Sequence, residues 1–282
     1  MTQSPMIDVA ELAGLIGKPG VSILDASWYL PSDKRDTRAE YQAAHIPGAV
    51  FFDIDGVSDA SSGLPHTLAQ PEVFEAAMRK LGINTDDQIV IYDSAGLFSA
   101  ARAWWNFRVA GSKTVRVLNG GLPAWTAAGQ PVESGDVQRA PGNFVAWYDL
   151  SLVRTFSQML SIVQSGGAEI VDARGAPRFN GEVAEPRPGL TSGHISGSQN
   201  LPFSNLIENG RLKTAVGIKA AFDTAGVNTS RPIVTTCGSG VTASILTLGL
   251  AVLGRTDVPV YDGSWSEWGG RPESADYIAT GA

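Results

Sequence analysis

Cys237 is the single cysteine of the 282-residue chain, and it lies in "IVTTCGSGVTASILTLGLAVLG" (233–254), between two apolar runs. A lone cysteine is most often a small buried hydrophobe. This one is followed by Gly238, Ser239 and Gly240, and the two glycines tolerate positive φ, so consecutive N–H groups can turn inward as a nest for an anion. Val241 and Thr242 then open a helix whose N-terminus carries partial positive charge. Such a cradle favours thiolate over thiol and makes a nucleophile at neutral pH. Gly238, Gly240, Val241 and Thr242 are therefore expected to line the site around the sulfur.

The elements that must hold this loop are written twice along the chain. "SILDASWYL" (22–30) and "EIVDARGAPRF" (169–179) both read as strands ending in an acid. "AAHIPGAVFFDI" (43–54) is echoed by "SGHISGSQNLPF" (192–203), with His45 matching His194. "QIVIYDSAGLFSAARAWW" (88–105) parallels "PIVTTCGSGVTASILTLG" (232–249), and "VRVLNGGLPAWTAAG" (115–129) parallels "VPVYDGSWSEWGG" (258–270). Four matches in one order identify a duplicated domain. In the second half, 168–173, 232–237 and 258–263 read as buried parallel strands, and 151–164, 214–225 and 241–253 as helices. The pattern predicts an α/β fold of two tandem domains, each a mostly parallel sheet flanked by helices. The polar, aperiodic stretch 129–143 is the expected linker, giving domains at 1–138 and 139–282. Ligands of such sheets bind beyond the carboxyl ends of the strands, where Cys237 falls. The matching turn of the first half, "YDSAGLFSA" (92–100), has Asp93 in place of the cysteine. That half is expected to lack a nucleophile and to complete the cleft.

Composition narrows the classes of function. A formal charge of −7, from 21 Lys and Arg against 28 Asp and Glu, argues against a general nucleic-acid surface. One cysteine cannot close an intrachain disulfide, and with three histidines no zinc cluster is spelled out, so neither metal nor cofactor is expected. No apolar run reaches the roughly 18 residues of a membrane span, and the N-terminus lacks the basic and apolar regions of a secretory leader. A cytoplasmic protein without membrane or nucleic-acid partners is expected.

With its duplicated halves, "HIPGA", "EPRPG", "GHISGS", "CGSGVTA" and "VYDGSWSEW", nearly the whole chain resembles the tandem rhodanese-type sulfurtransferases. Its loop is most similar to those of the 3-mercaptopyruvate sulfurtransferases; thiosulfate-preferring relatives carry basic residues just after the cysteine. The resemblance implies that Cys237 takes sulfur from 3-mercaptopyruvate as a persulfide. It then passes the sulfur to a small thiol, a thioredoxin-like protein or cyanide, with release of pyruvate. It further implies that Arg178 and Arg187, in "APRFNGEVAEPR", hold the substrate carboxylate and ketone, a task suited to forked guanidinium groups. Ser239 is implied as a substrate contact and proton relay, associated with an acid and a histidine from the first half; the matching positions are Asp55 and His66.

A phosphatase with a cysteine loop needs an arginine six residues on, where Ala243 stands. A papain-like hydrolase needs an imidazole beside the thiol, which the sequence does not locate. Thiosulfate sulfurtransferase and a non-catalytic rhodanese-type binding protein are the alternatives. His45 and His194, present in both halves, point to a structural task such as fixing a turn, and Trp104, Trp105, Trp125, Trp265 and Trp268 to packing.

Overall fold

Each half of the chain folds its short β-branched runs into a five-stranded parallel sheet. The structure, a computed structural model, describes residues 4–281. In the first half the strands are β1 (Met6–Ile7), β2 (Val21–Asp25), β3 (Val50–Phe51), β4 (Gln88–Tyr92) and β5 (Val115–Leu118), in the order β1-β5-β4-β2-β3. In the second half they are β6 (Val153–Arg154), β7 (Glu169–Asp172), β8 (Gln199–Asn200), β9 (Ile233–Thr236) and β10 (Val260–Tyr261), in the order β6-β10-β9-β7-β8. The two orders are the same, strand for strand, and every pairing is parallel.

The helices repeat as well. The first half has α1 (Val9–Ala13), α2 (Thr37–Ala43), α3 (Pro71–Lys80), α4 (Ala100–Val109) and α5 (Gly121–Ala127); the second has α6 (Phe156–Ser165), α7 (Ala176–Phe179), α8 (Ala215–Thr224), α9 (Ala243–Val252) and α10 (Ser264–Trp268). Central strands such as β4 and β9 are buried almost throughout, as expected of strands in a parallel sheet covered on both faces. The helix after each central strand is buried almost throughout: Ala243 to Ala251 of α9 have no exposed member, which suits a segment apolar all round. A hydroxyl bond between Thr235 and Thr247 (2.8 Å) satisfies two polar groups between β9 and α9.

Helix α6 starts later than the expected 151–164. Thr155 caps it in a reciprocal box with Gln158, and Val153–Arg154 instead pair with β10 as an edge strand. The chain divides into two compact units: one holds the residues up to Ser58 with Leu68–Asp149 and Asn209–Leu212, the other Asp59–Thr67, Leu150–Glu208 and the chain from Lys213. Residues 139–149, expected with the second half, thus belong with the first. Phe144 explains why: it is 1% exposed, packed edge-on against Phe74 and Phe107, and its N–H bonds Ile83 O. Among the described residues no helix is long and apolar enough to cross a membrane.

The paired histidines do the same work in each unit. His45 Nδ1 lies 2.8 Å from Tyr41 O and stacks on the Tyr41 ring; His194 Nδ1 lies 2.9 Å from Phe179 O and stacks on Phe179. Each ties the chain to a carbonyl of the preceding helix, His45 four residues on and His194 fifteen residues on.

Candidate active site

Cys237 follows the last residue of β9, where Thr236 is in register with Asp172 of β7, and the residue is 2% exposed. The carbonyls of the loop are held from outside. Cys237 O accepts from Trp265 N (2.9 Å), Gly238 O from both Ser266 N (2.9 Å) and Ser266 Oγ (2.6 Å), and Gly240 O from Ser244 Oγ (2.9 Å). Among the described residues the N–H groups of Gly238, Ser239, Gly240, Val241 and Thr242 have no hydrogen-bond acceptor. With its carbonyls turned out and these donors free, the loop is an anion cradle at the head of α9.

The two glycines divide the work differently from expectation. Only Gly240 adopts a left-handed φ, +80°. Gly238 is needed for space: a Cβ there would lie 3.1 Å from Arg178 Nη2 and 3.7 Å from Nη1. Val241 and Thr242 precede the helix proper, with Thr242 as N-cap and Ala243 as its first residue.

The first unit shows what an anion does in such a loop. Asp93, at the end of β4 and 1% exposed, folds its carboxylate back into its own turn. Its Oδ2 accepts from the N–H groups of Phe98 (2.8 Å), Ser99 (2.9 Å) and Ala100 (2.9 Å), and its Oδ1 from Ala95 (3.0 Å). The cradle of the first unit is filled by a fixed carboxylate, whereas in the second it surrounds a thiol.

Arg178 reaches the cysteine loop from α7 and is oriented by buried charges. Its Nε and Nη2 donate to Glu185 Oε1 (3.1 Å) and Oε2 (2.5 Å). Glu185 Oε1 also accepts from Arg174 Nη1 (2.9 Å), and Arg174 in turn grips Asp172 through Nε and Nη2 and caps Gly193 O. The side chains of Asp172, Arg174 and Glu185 are at most 2% exposed, against 28% for Arg178. Burial opposes the charge on Arg174, but Asp172 and Glu185 together outweigh it and raise its pKa. At the corresponding place in the first unit, Ser27 stands for Arg174. Burial pushes the Asp25 carboxyl up to about 6 against two hydrogen bonds from Ser27, with the Asp93 charge adding to the rise.

Residues 8–128 and 155–271 each match the rhodanese-like domain, covering both halves of the duplication. The chain belongs to the rhodanese-like family. It is 45% identical to a 3-mercaptopyruvate sulfurtransferase of Escherichia coli over 93% of this chain and 94% of that one. It is 42% identical to a mitochondrial thiosulfate/3-mercaptopyruvate sulfurtransferase of Arabidopsis thaliana, over 96% of this chain and 78% of that one. The crystal structure of SseA from Escherichia coli, described with the rhodanese fold of 3-mercaptopyruvate sulfotransferases, superposes with a TM-score of 0.86 at 42% identity, covering 94% of this chain and all of that one.

In this rhodanese-like chain His66 belongs to the second compact unit although it lies in the first half of the sequence. Its Nδ1 is 2.9 Å from Ser239 Oγ; both residues are buried, and His66 holds a left-handed φ of 62°. The structure thus gathers Cys237, Gly238, Ser239, Gly240, Val241, Thr242, Arg178 and His66 in one unit. Arg187 is half-buried in the irregular segment 180–192 of the same unit. Asp55 lies in the other unit, exposed, where its Oδ2 accepts from Trp28 Nε1 (3.0 Å). A cavity of about 1230 Å³ sits at the amino ends of β7, β9 and β10, away from the cysteine, and holds none of the expected site residues.

Glu185, Arg174 and Asp172 are not among the site residues expected from the sequence. The spacing Asp-x-Arg at the end of a strand, with its first-half counterpart Asp25-x-Ser27, was the available signal.

Proposed function

We propose that the chain is a 3-mercaptopyruvate sulfurtransferase. The observation that carries this reading is the run of free N–H groups from Gly238 to Thr242 around a buried cysteine, with the Arg178 guanidinium lying against Gly238. Arg178 and Arg187 anchor the substrate carboxylate and ketone by charge-assisted hydrogen bonds. The Cys237 thiolate attacks the substrate thiol sulfur, and the bond between that sulfur and carbon breaks. Its electron pair leaves on carbon as pyruvate enolate, which takes a proton to become pyruvate. Cys237 is left as a persulfide whose charge the loop donors stabilise. A thiolate acceptor then attacks the outer sulfur and returns Cys237 as thiolate; cyanide does the same and leaves as thiocyanate. The hydrogen-bonded Ser239 and His66 supply the route for the proton.

Thiosulfate is the alternative donor, named for the Arabidopsis relative together with mercaptopyruvate. Thiosulfate is a dianion and gains from cations directly beside the attacked sulfur. Here those positions are the uncharged Gly238 and Ser239, and the arginines come from 178 and 187, which favours a donor whose single charge is remote from its sulfur. We place the protein in the cytoplasm, a reducing compartment that keeps a lone thiol free. Purified protein given mercaptopyruvate and a thiol, or thiosulfate and cyanide, tests the choice of donor. Faster turnover of mercaptopyruvate is expected; faster turnover of thiosulfate overturns it. Absence of a Cys237 persulfide with either donor would favour a non-catalytic binding protein.

A further inference from the structure

We infer that Glu185 is a specificity-determining residue that limits the positive charge shown to the sulfur donor and so selects a singly charged one. The inference rests on the reading of Cys237 as the sulfur-accepting nucleophile. Two arginines and two carboxylates form one chain, Asp172–Arg174–Glu185–Arg178, in which the formal charges cancel. Glu185 is the link: one oxygen accepts from both arginines, the other from Arg178 alone. Only Arg178 is appreciably exposed, at 28%, and it is this guanidinium that lies against Gly238. Nη1 of Arg178 makes no hydrogen bond among the described residues, so it remains to meet a ligand.

Without Glu185 the Arg178 guanidinium would present its whole charge to the cradle, with Arg174 unbalanced by a second carboxylate behind it. That field would favour a dianion such as thiosulfate over a donor with one carboxylate. Glu185, with its side chain 2% exposed and bonded through both oxygens, sets its carboxylate against Arg178. Because the carboxylate is desolvated, its field is poorly screened and acts on the bound anion as well as on the arginines. The guanidinium keeps its fork for a carboxylate, while the site as a whole gains little from a second negative charge.

The test reads charge at Cys237 through alkylation, independently of sulfur transfer. The ratio of rate constants for iodoacetate, an anion, and iodoacetamide, its neutral analogue, is measured on the full chain. Glu185→Gln keeps the shape and one acceptor but removes the charge. It should raise the ratio by roughly fivefold or more, as expected for removing one unit charge from a partly screened site. Glu185→Asp should return it towards the wild-type value. Arg178→Gln should lower the ratio, and the charge-balanced Arg178→Gln/Glu185→Gln double variant should bring it back up. That last comparison keeps the test decisive even if Glu185→Gln alone does not fold.

In turnover, Glu185→Gln should shift kcat/KM towards thiosulfate relative to mercaptopyruvate. An unchanged alkylation ratio in Glu185→Gln, or equal ratios in Arg178→Gln and the double variant, overturns the inference while leaving the proposed function standing. Failure of the wild-type chain to use either donor would overturn the proposed function while the alkylation ratios still reported on Glu185.

Discussion

The close approach of Arg178 to Gly238 makes Gly238→Ala an informative perturbation. A methyl group at 238 would sit 3.1 Å from Arg178 Nη2, tighter than ordinary van der Waals contact, so the guanidinium must give by a few tenths of an ångström. It cannot swing away freely, because Nε and Nη2 are both bonded to Glu185. Yielding therefore means an off-rotamer arginine or a stretched ion pair, costing about 0.5–1.5 kcal/mol. If that strain falls on the bound transition state, kcat/KM for mercaptopyruvate drops about 2- to 12-fold. The backbone itself should accept alanine, since Gly238 is not among the left-handed glycines, and the loss of unfolded-state freedom offsets part of the strain. Thermal stability should thus change little while turnover falls.

Arg178→Ala removes a charge-assisted contact worth about 1.5–3 kcal/mol, or roughly 10- to 150-fold. Adding Gly238→Ala to it should cost nothing further, because the group it displaces is gone. Steady-state pyruvate release from the four members of the cycle measures the coupling. Additive effects of the two substitutions would refute the idea that residue 238 is kept small for Arg178.

Further outcomes follow from the same geometry. Cys237→Ser should abolish sulfur transfer with the fold intact, and mass spectrometry of wild-type protein after donor addition should show one extra sulfur on the Cys237 peptide; activity in the serine variant would remove the nucleophile assignment. His66→Asn, a residue type that tolerates the left-handed backbone seen there, should cut kcat about 100-fold or more, because the proton route through Ser239 and His66 is broken. Unchanged kcat would reduce His66 to a packing role. Asp25→Asn should flatten stability between about pH 4 and pH 6. The folded state holds the Asp25 proton up to about 6 while the unfolded chain loses it near 3.8. The Asp25 contribution to wild-type stability is therefore greatest below that window and falls as pH rises through it, by about 3 kcal/mol in all at 1.36 kcal/mol per unit. Denaturant melts across pH check the slope; the same slope in the asparagine variant would show that other groups cause it.

Much of this protein was readable in one dimension, because its determinants are local. The duplication shows in strand-ending motifs that recur in one order, since each copy must bury the same faces in the same sheet. Cys237 could be placed at a strand end because "IVTT" and the small-residue turn after it are local signals. The shared role of His45 and His194 was legible from symmetry alone. What the sequence left open depends on groups that meet only when the chain is packed. His66 and Ser239 are 173 residues apart, and nothing local announces their bond. Phe144 binds residues 139–149 to the first unit because an aromatic side chain finds its partners at Phe74 and Phe107, however polar the surrounding stretch. Asp93 and Cys237 occupy the same turn, yet only the folded loop shows that the aspartate consumes the N–H groups that the cysteine leaves free. The Asp172–Arg174–Glu185–Arg178 chain was decided by burial: in water these ions would each be hydrated, and only exclusion of solvent makes their mutual pairing, and hence the direction of Arg178, obligatory.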